Sequence, residues 1–238
     1  MKTVLLASIC LALSVTASAD DRTAEPFNGK DLSGWKVKGE PSGSYWKVGG
    51  AMLHPDDPAK FVVASGTELI NDKGNADRGR GVDIYSEFQH GTGRIEIELM
   101  VPKGSNSGVY VQGEYEVQVF DSWGIEKPRP SDIGAIYGAA PPRVNMAKKP
   151  GEWQKLVIDF EAPRFDSDGQ VMRKARFVKV SLNGETIHEN VEMKGPTPSG
   201  LTGKEHAKGP ILLQGDHGPV SYRNLKFTRM VFQKLQAK

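Results

Sequence analysis

Cysteine is all but missing from this chain. Cys10 is the only one among 238 residues, and it lies in an N-terminal segment that reads as an export signal. Lys2 is that segment's positive start. Val4 to Val15 form a mostly apolar run, long enough for a signal core and short of the ~20 residues a bilayer span needs. Ala17-Ser18-Ala19 places small residues before a cut ahead of Asp20. The other reading of this run is a buried N-terminal helix. A lipoprotein signal is excluded, because Ile9 stands where a small residue would precede Cys10. Once the signal is gone the chain has no disulfide, no thiolate nucleophile and no cysteine metal ligand. The expected organisation is a signal over 1–19 and a single domain over 20–238, exported to a periplasm or the extracellular space.

Charge bias is missing as well. Lys and Arg total 31 against 29 Asp and Glu, or 30 against 29 without Lys2. No basic run interleaves with aromatics, which excludes nucleic acid as the expected partner. No stretch after residue 20 is apolar enough to span a membrane, and nothing sets an oligomeric state. Helical periodicity is absent beyond the signal. His-Glu-x-x-His, Gly-x-Ser-x-Gly and glycine-rich phosphate loops are absent too. Asp56-Asp57 and Asp166–Asp168 lack the twelve-residue calcium-loop pattern and read as solvated turns.

What remains is alternation punctuated by 27 Gly and 15 Pro. Arg94–Val101 sends Ile95, Ile97, Leu99 and Val101 to one face and Arg94, Glu96, Glu98 and Met100 to the other, the mark of an antiparallel strand with one buried side. Similar runs occur at Tyr45–Val48, Ala51–His54, Lys60–Ala64, Ser86–Gln89, Gly108–Gln112, Tyr115–Phe120, Trp153–Phe160, Arg176–Leu182, Glu185–Glu189, Ile211–Gln214 and Ser221–Arg229. Asn183-Gly184 is a type I′ hairpin signal and Gly49-Gly50 a weaker one. The pattern predicts an all-β sandwich or jelly roll. Ile125–Pro150 and Lys194–Gly209 are expected to be long loops, Asp20–Glu25 a disordered lead-in and Gln233–Lys238 a frayed tail.

Polar residues inside strands mark a candidate site. Val109, Val111, Val117 and Val119 claim the core, so Tyr110, Gln112, Glu116 and Gln118 share the opposite face of one hairpin. Such a face can hold a sugar, whose hydroxyls need donors and acceptors and whose C–H faces stack on rings. It can equally be a solvated sheet face. Asp121 and Trp123 follow that strand, where they line a pocket or cap a turn. His217 sits between glycines at a strand exit, in Gly215-Asp216-His217-Gly218, and is suited to proton transfer near neutral pH.

These segments, FNGKDLSGW at Phe27–Trp35, NSGVYVQGEYEVQVFDSWG at Asn106–Gly124, GAIYGAAPPRVNMAKKPGEWQ at Gly134–Gln154, LNGETIHENV at Leu182–Val191 and GPILLQGDHGPVSYRNLKF at Gly209–Phe227, make the chain resemble the bacterial 3-keto-disaccharide hydrolases. One departure is visible: Gly215-Asp216 looks inserted where the family brings Gln closer to His-Gly. The resemblance implies an all-β, concanavalin A-like jelly-roll β-sandwich of two antiparallel sheets. It implies a substrate whose sugar is oxidised at C3, and hydrolysis by C2 proton abstraction, β-elimination at C1 and hydration. The alternative is a non-catalytic carbohydrate-binding module of the same fold. Under the enzymatic reading His217 and Glu116 are the catalytic candidates. Tyr110, Gln112, Gln118, Asp121, Trp123, Tyr137, Asn145, Gln214 and Arg223 are the substrate-binding candidates. No cofactor is assigned; a divalent cation such as calcium is a candidate for stabilising the enolate.

Overall fold

The computed structural model describes residues 22–73 and 81–232. The export segment lies outside the described residues, as does 233–238. Two antiparallel sheets pack face to face as a jelly-roll sandwich. The larger runs β13 (Glu185–Glu192), β12 (Arg176–Leu182), β9 (Gln154–Glu161), β6 (Gly93–Met100), β15 (Val220–Arg229), β4 (Asp57–Asn71) and β3 (Trp46–His54), with β1 (Thr23–Ala24) also paired to β15. The smaller runs β2 (Trp35–Lys38), β5 (Asp83–His90), β14 (Gly209–Leu213), β7 (Asn106–Val111) and β8 (Tyr115–Phe120). A short hairpin, β10 (Arg164–Phe165) and β11 (Val171–Arg173), stands apart.

The alternation seen in the sequence builds the core. Ile95, Ile97 and Leu99 of β6, Leu156, Ile158 and Phe160 of β9, and Val109, Val111, Val117 and Val119 of β7 and β8 are all buried in one cluster. Each such side chain contributes about 1.5–3 kcal/mol by leaving water. Phe160 packs on Tyr115 and Phe177 with ring centroids 5.4 and 5.3 Å away. Asn183 and Gly184 both have positive φ, 53° and 90°, as the type I′ turn joining β12 to β13 requires.

Several expectations are corrected. Gly49-Gly50 is no turn: β3 runs through it, with a register shift against β4. A Cβ on Gly50 would lie 2.8 Å from the Ser65 carbonyl oxygen, so close backbone approach explains the glycines. Met100 points away from the main core as expected, yet it is buried with Ala51, Phe61 and Ile70 in a second, outer cluster. Thr23–Ala24, expected to be lead-in, pairs with Thr228 and Phe227. Trp35–Lys38 was not anticipated as a strand, although it forms the edge of the smaller sheet.

Candidate functional site

Strand register sets one face of the smaller sheet. Tyr110 pairs with Glu116 and Gly108 with Gln118 across β7 and β8, and Lys38 pairs with Asp83 across β2 and β5. Gln214, just past β14, donates its N–H to the Gly108 carbonyl at 3.0 Å. Val109, Val117, Ile84 and Leu213 fill the core side, so Lys38, Asp83, Gln214, Tyr110, Glu116 and Gln118 share the other. Gly108 lets Glu116 lie flat there, because any Cβ at 108 would collide with Glu116 Oε1.

Burial dominates the electrostatics. Glu116 is 4% exposed, and loss of solvent pushes its pKa up to about 7. Tyr110 and the His217 charge pull it down, while Asp83 and Asp216 push it further up. His217 and Glu116 thus lie close enough for their charges to interact. Asp83 is also raised by burial, against the Gly215 N–H on its Oδ1 at 3.0 Å and Lys38 Nζ 3.3 Å from its Oδ2. Burial works against ionisation of Asp216, but the His217 ring, 2.5 Å away through Nδ1, outweighs it and its pKa falls. The Tyr110 phenol is raised, first by burial and then by Glu116.

The glycine-rich loop before β14 covers this face. Its anchor is Glu114, 1% exposed, whose carboxylate accepts from Thr202 N and Oγ1 at 2.8 and 2.7 Å and from Gly203 N at 3.0 Å. Thr197 N donates to the Glu114 carbonyl at 2.8 Å, and Thr197 Oγ1 accepts from Glu116 N at 3.0 Å. So fixed, the loop gives two successive carbonyls to the site: Pro198 accepts from the Tyr110 hydroxyl at 3.4 Å and Ser199 from Lys38 Nζ at 2.6 Å. The loop thus lies against this face at Tyr110 and Lys38.

The sequence candidates divide. Tyr110, Glu116, Gln118, Gln214 and His217 come together. Gln118 donates from Nε2 to Asn106 Oδ1 at 2.9 Å. Gln214 Oε1 is buried with no partner among the described residues. Tyr137 is adjacent in backbone, its N–H bonded to the Glu116 carbonyl at 3.1 Å, and its side chain is exposed.

Gln112 does not join. It turns at the hairpin end with φ 55°, and its Nε2 donates to the His90 and Ala207 carbonyls. Asp121 caps turns, accepting from Gly104 N at 2.8 Å and Trp123 N at 3.3 Å, and Trp123 is exposed under Lys149. Asn145 clamps a loop through the Ser122 and Ile125 carbonyls at 2.7 and 2.9 Å. Arg223 lies on the larger sheet, bonded to Glu98 at 2.7 Å and stacked 3.9 Å from the Trp153 ring, so it is on the other side of the sandwich from Glu116.

Sequence reasoning passed over Lys38, Asp83 and Asp216. The Lys-Val-Lys alternation of β2 was the available signal for the first. Among the described residues no group of three or more His, Cys, Asp or Glu side chains could hold a metal ion. The candidate divalent cation therefore has no set of three such side chains there, and no step below is routed through one.

The chain as a whole resembles known proteins. The 3-keto-alpha-glucoside-1,2-lyase-like domain model matches residues 23–228. A solved structure from Parabacteroides distasonis, named as a candidate glycosyl hydrolase, is 28% identical with a TM-score of 0.65, covering 88% of this chain and 84% of that one. A second from the same organism, at 22% identity and TM-score 0.55, covers 88% of this chain and 100% of its own, and shares the fold. No curated protein matches the chain.

Proposed function

Because the chain belongs to the 3-keto-alpha-glucoside-1,2-lyase-like domain family, we propose that it is an exported enzyme that cleaves glycosides carrying a ketone at C3. The observation that carries this reading is Glu116: a buried carboxyl with a pKa near 7, beside Tyr110 and within charge reach of His217. A group of that acidity can both take and return a proton at neutral pH. The 28% identical structure, itself named as a candidate glycosyl hydrolase, supports chemistry at a glycosidic bond.

The C3 ketone makes the C2 proton acidic. The Glu116 carboxylate removes it, and the C–H electron pair forms an enolate with its charge on O3. The Lys38 ammonium, drawn inward by Asp83 and the Ser199 carbonyl, is a cation on this face that would offset that charge. The pair then forms the C1–C2 double bond as the C1–O bond breaks. His217, oriented by Asp216, gives a proton to the leaving oxygen. Water adds to C1 of the enone, C2 recovers a proton from Glu116, and the water's second proton restores His217. The sum is hydrolysis without a strong nucleophile.

The test is a disaccharide oxidised at C3, incubated with the mature protein in D₂O. Deuterium at C2 of the released keto sugar, above that of the sugar alone in the same buffer, is expected, with turnover lost in E116Q and H217A. Deuterium enters as the Glu116 carboxyl exchanges with solvent during the lifetime of the enone; turnover kept at the wild-type rate in E116Q would overturn the elimination. Saturable binding with no release would replace the enzyme by a carbohydrate-binding module.

A further inference from the structure

A hollow of about 680 Å³ opens between the sheets at one end of the sandwich and shares no lining residue with the Glu116 face. Its volume falls in the range of small-molecule sites, roughly 300–1,000 Å³. The floor is aromatic. Phe227 lies 5.5 Å from Phe88 and 4.9 Å from His90, and Phe88 stacks on His90 at 6.4 Å. His90 adds no charge: it is buried, and loss of solvent takes its pKa down to about 4. Its ring nitrogens are already engaged, Nδ1 3.0 Å from the Gly91 carbonyl and Nε2 3.3 Å from Gln112 N.

The rim is cationic. Arg164, Lys208 and Arg229 come from three separate segments, line the hollow and are exposed. The acid in the lining, Glu161, offsets them only in part: Arg164 lies 3.9 Å from its carboxylate, which three arginines share. It is buried, and its two oxygens are taken by Arg173 and, at 2.7 Å, by Arg176, neither of which lines the hollow. In a chain whose charges nearly cancel overall, an uncharged aromatic floor under a surplus of cations is a local arrangement. A pit lined by one sign of charge concentrates ligands of the other.

We propose that this hollow is a second binding site, separate from the Glu116 face, for a small aromatic anion of the carboxylate or sulfonate class. The ring body would rest on Phe88 and Phe227 and the anionic group would face Arg164, Lys208 and Arg229.

The test pairs two probes of nearly the same shape, 8-anilinonaphthalene-1-sulfonate and uncharged N-phenyl-1-naphthylamine, titrated into the mature protein by fluorescence. One saturable site for the sulfonate is expected, about tenfold tighter than for the neutral probe. The R164Q/R229Q double variant should weaken the sulfonate about fivefold or more and leave the neutral probe unchanged. Both arginines are exposed, so the variant should fold, which circular dichroism checks. Competition by 2-naphthoate would extend the site to carboxylates. Equal affinity for the two probes, no saturable sulfonate site, or no effect of the double variant would each overturn the proposal.

Discussion

Replacing Glu116 by Gln should make the protein more stable, by an amount that grows as pH rises from 4.5 to about 7. Burial raises the carboxyl from its ordinary 4.5 to about 7. A difference of about 2.5 pK units corresponds to roughly 3 kcal/mol. The folded state keeps its proton where the unfolded chain has released it. Stability therefore falls as pH rises through the window from 4.5 to about 7 and stays lowered above it. Gln has nearly the same shape and no charge to desolvate. Near pH 5 the variant and the wild type should unfold at similar urea concentrations. At pH 8 the variant should be more stable by up to about 3 kcal/mol, on the order of 6–12 °C in Tm for a chain of this size. Comparing the two proteins at each pH cancels the other titrating groups to first order. Loss of turnover together with a pH-gated gain in stability would mark a residue kept for chemistry at the expense of the fold. An advantage equal at pH 5 and pH 8, or a loss at pH 8, would refute the reasoning, because the carboxyl would then not be ionising against its surroundings.

Gly108→Ala should cost little stability, under about 1 kcal/mol, since the Cβ meets the movable end of Glu116; displacing that carboxyl should lower kcat about 100-fold, measured on the 3-keto substrate beside a urea titration. Tyr110→Phe removes a group that lowers the Glu116 pKa, so the limb of the pH–rate profile that rises with ionisation of the base should move to higher pH. Glu114→Gln should lose about 1–3 kcal/mol of stability, because a buried carboxylate gives up hydrogen bonds to Thr202 and Gly203; limited proteolysis between 197 and 205 should speed up with it.

The fold was legible where one face of a strand is buried and the other is not, because that condition writes period-two alternation directly into the chain. Arg94–Val101 is the clear case. The same rule reports a face and not what covers it, so Met100 was read as outward without the β3–β4 hairpin that packs over it. Ser65-Gly66-Thr67 in the middle of β4 looks like a turn, yet the strand continues because Gly66 lies directly against the backbone of Gly49 and Gly50. The hairpin face of Tyr110, Glu116 and Gln118 was readable because all three lie on strands adjacent in sequence. Arg223 failed for the complementary reason: alternation says that it points outward, and a sandwich has two outsides. Lys38 and Asp83 reach the site only through the pairing of β2 with β5 and of β5 with β14, long-range contacts that no local pattern records.

The dipeptide that departs from the family pattern has a physical part in the proposed chemistry. Gly215 is locked on both sides: its N–H donates to Asp83 Oδ1 at 3.0 Å and its carbonyl accepts from Asn71 Nδ2 at 2.9 Å. A side chain at 215 would collide with the Val82 carbonyl, so glycine is what fits. With Gly215 pinned, the next residue, Asp216, pairs with the imidazole one position further on. A part-exposed ring at a strand exit has many orientations open to it, and a neighbouring carboxylate selects one. The residues that look inserted are thus those that aim His217, and the pin that holds them is Asp83, a raised acid on the same face as Glu116. A change at Asp83 would reach the proton donor through Gly215 and the proton acceptor through its charge, which links the two halves of the proposed elimination through one carboxylate.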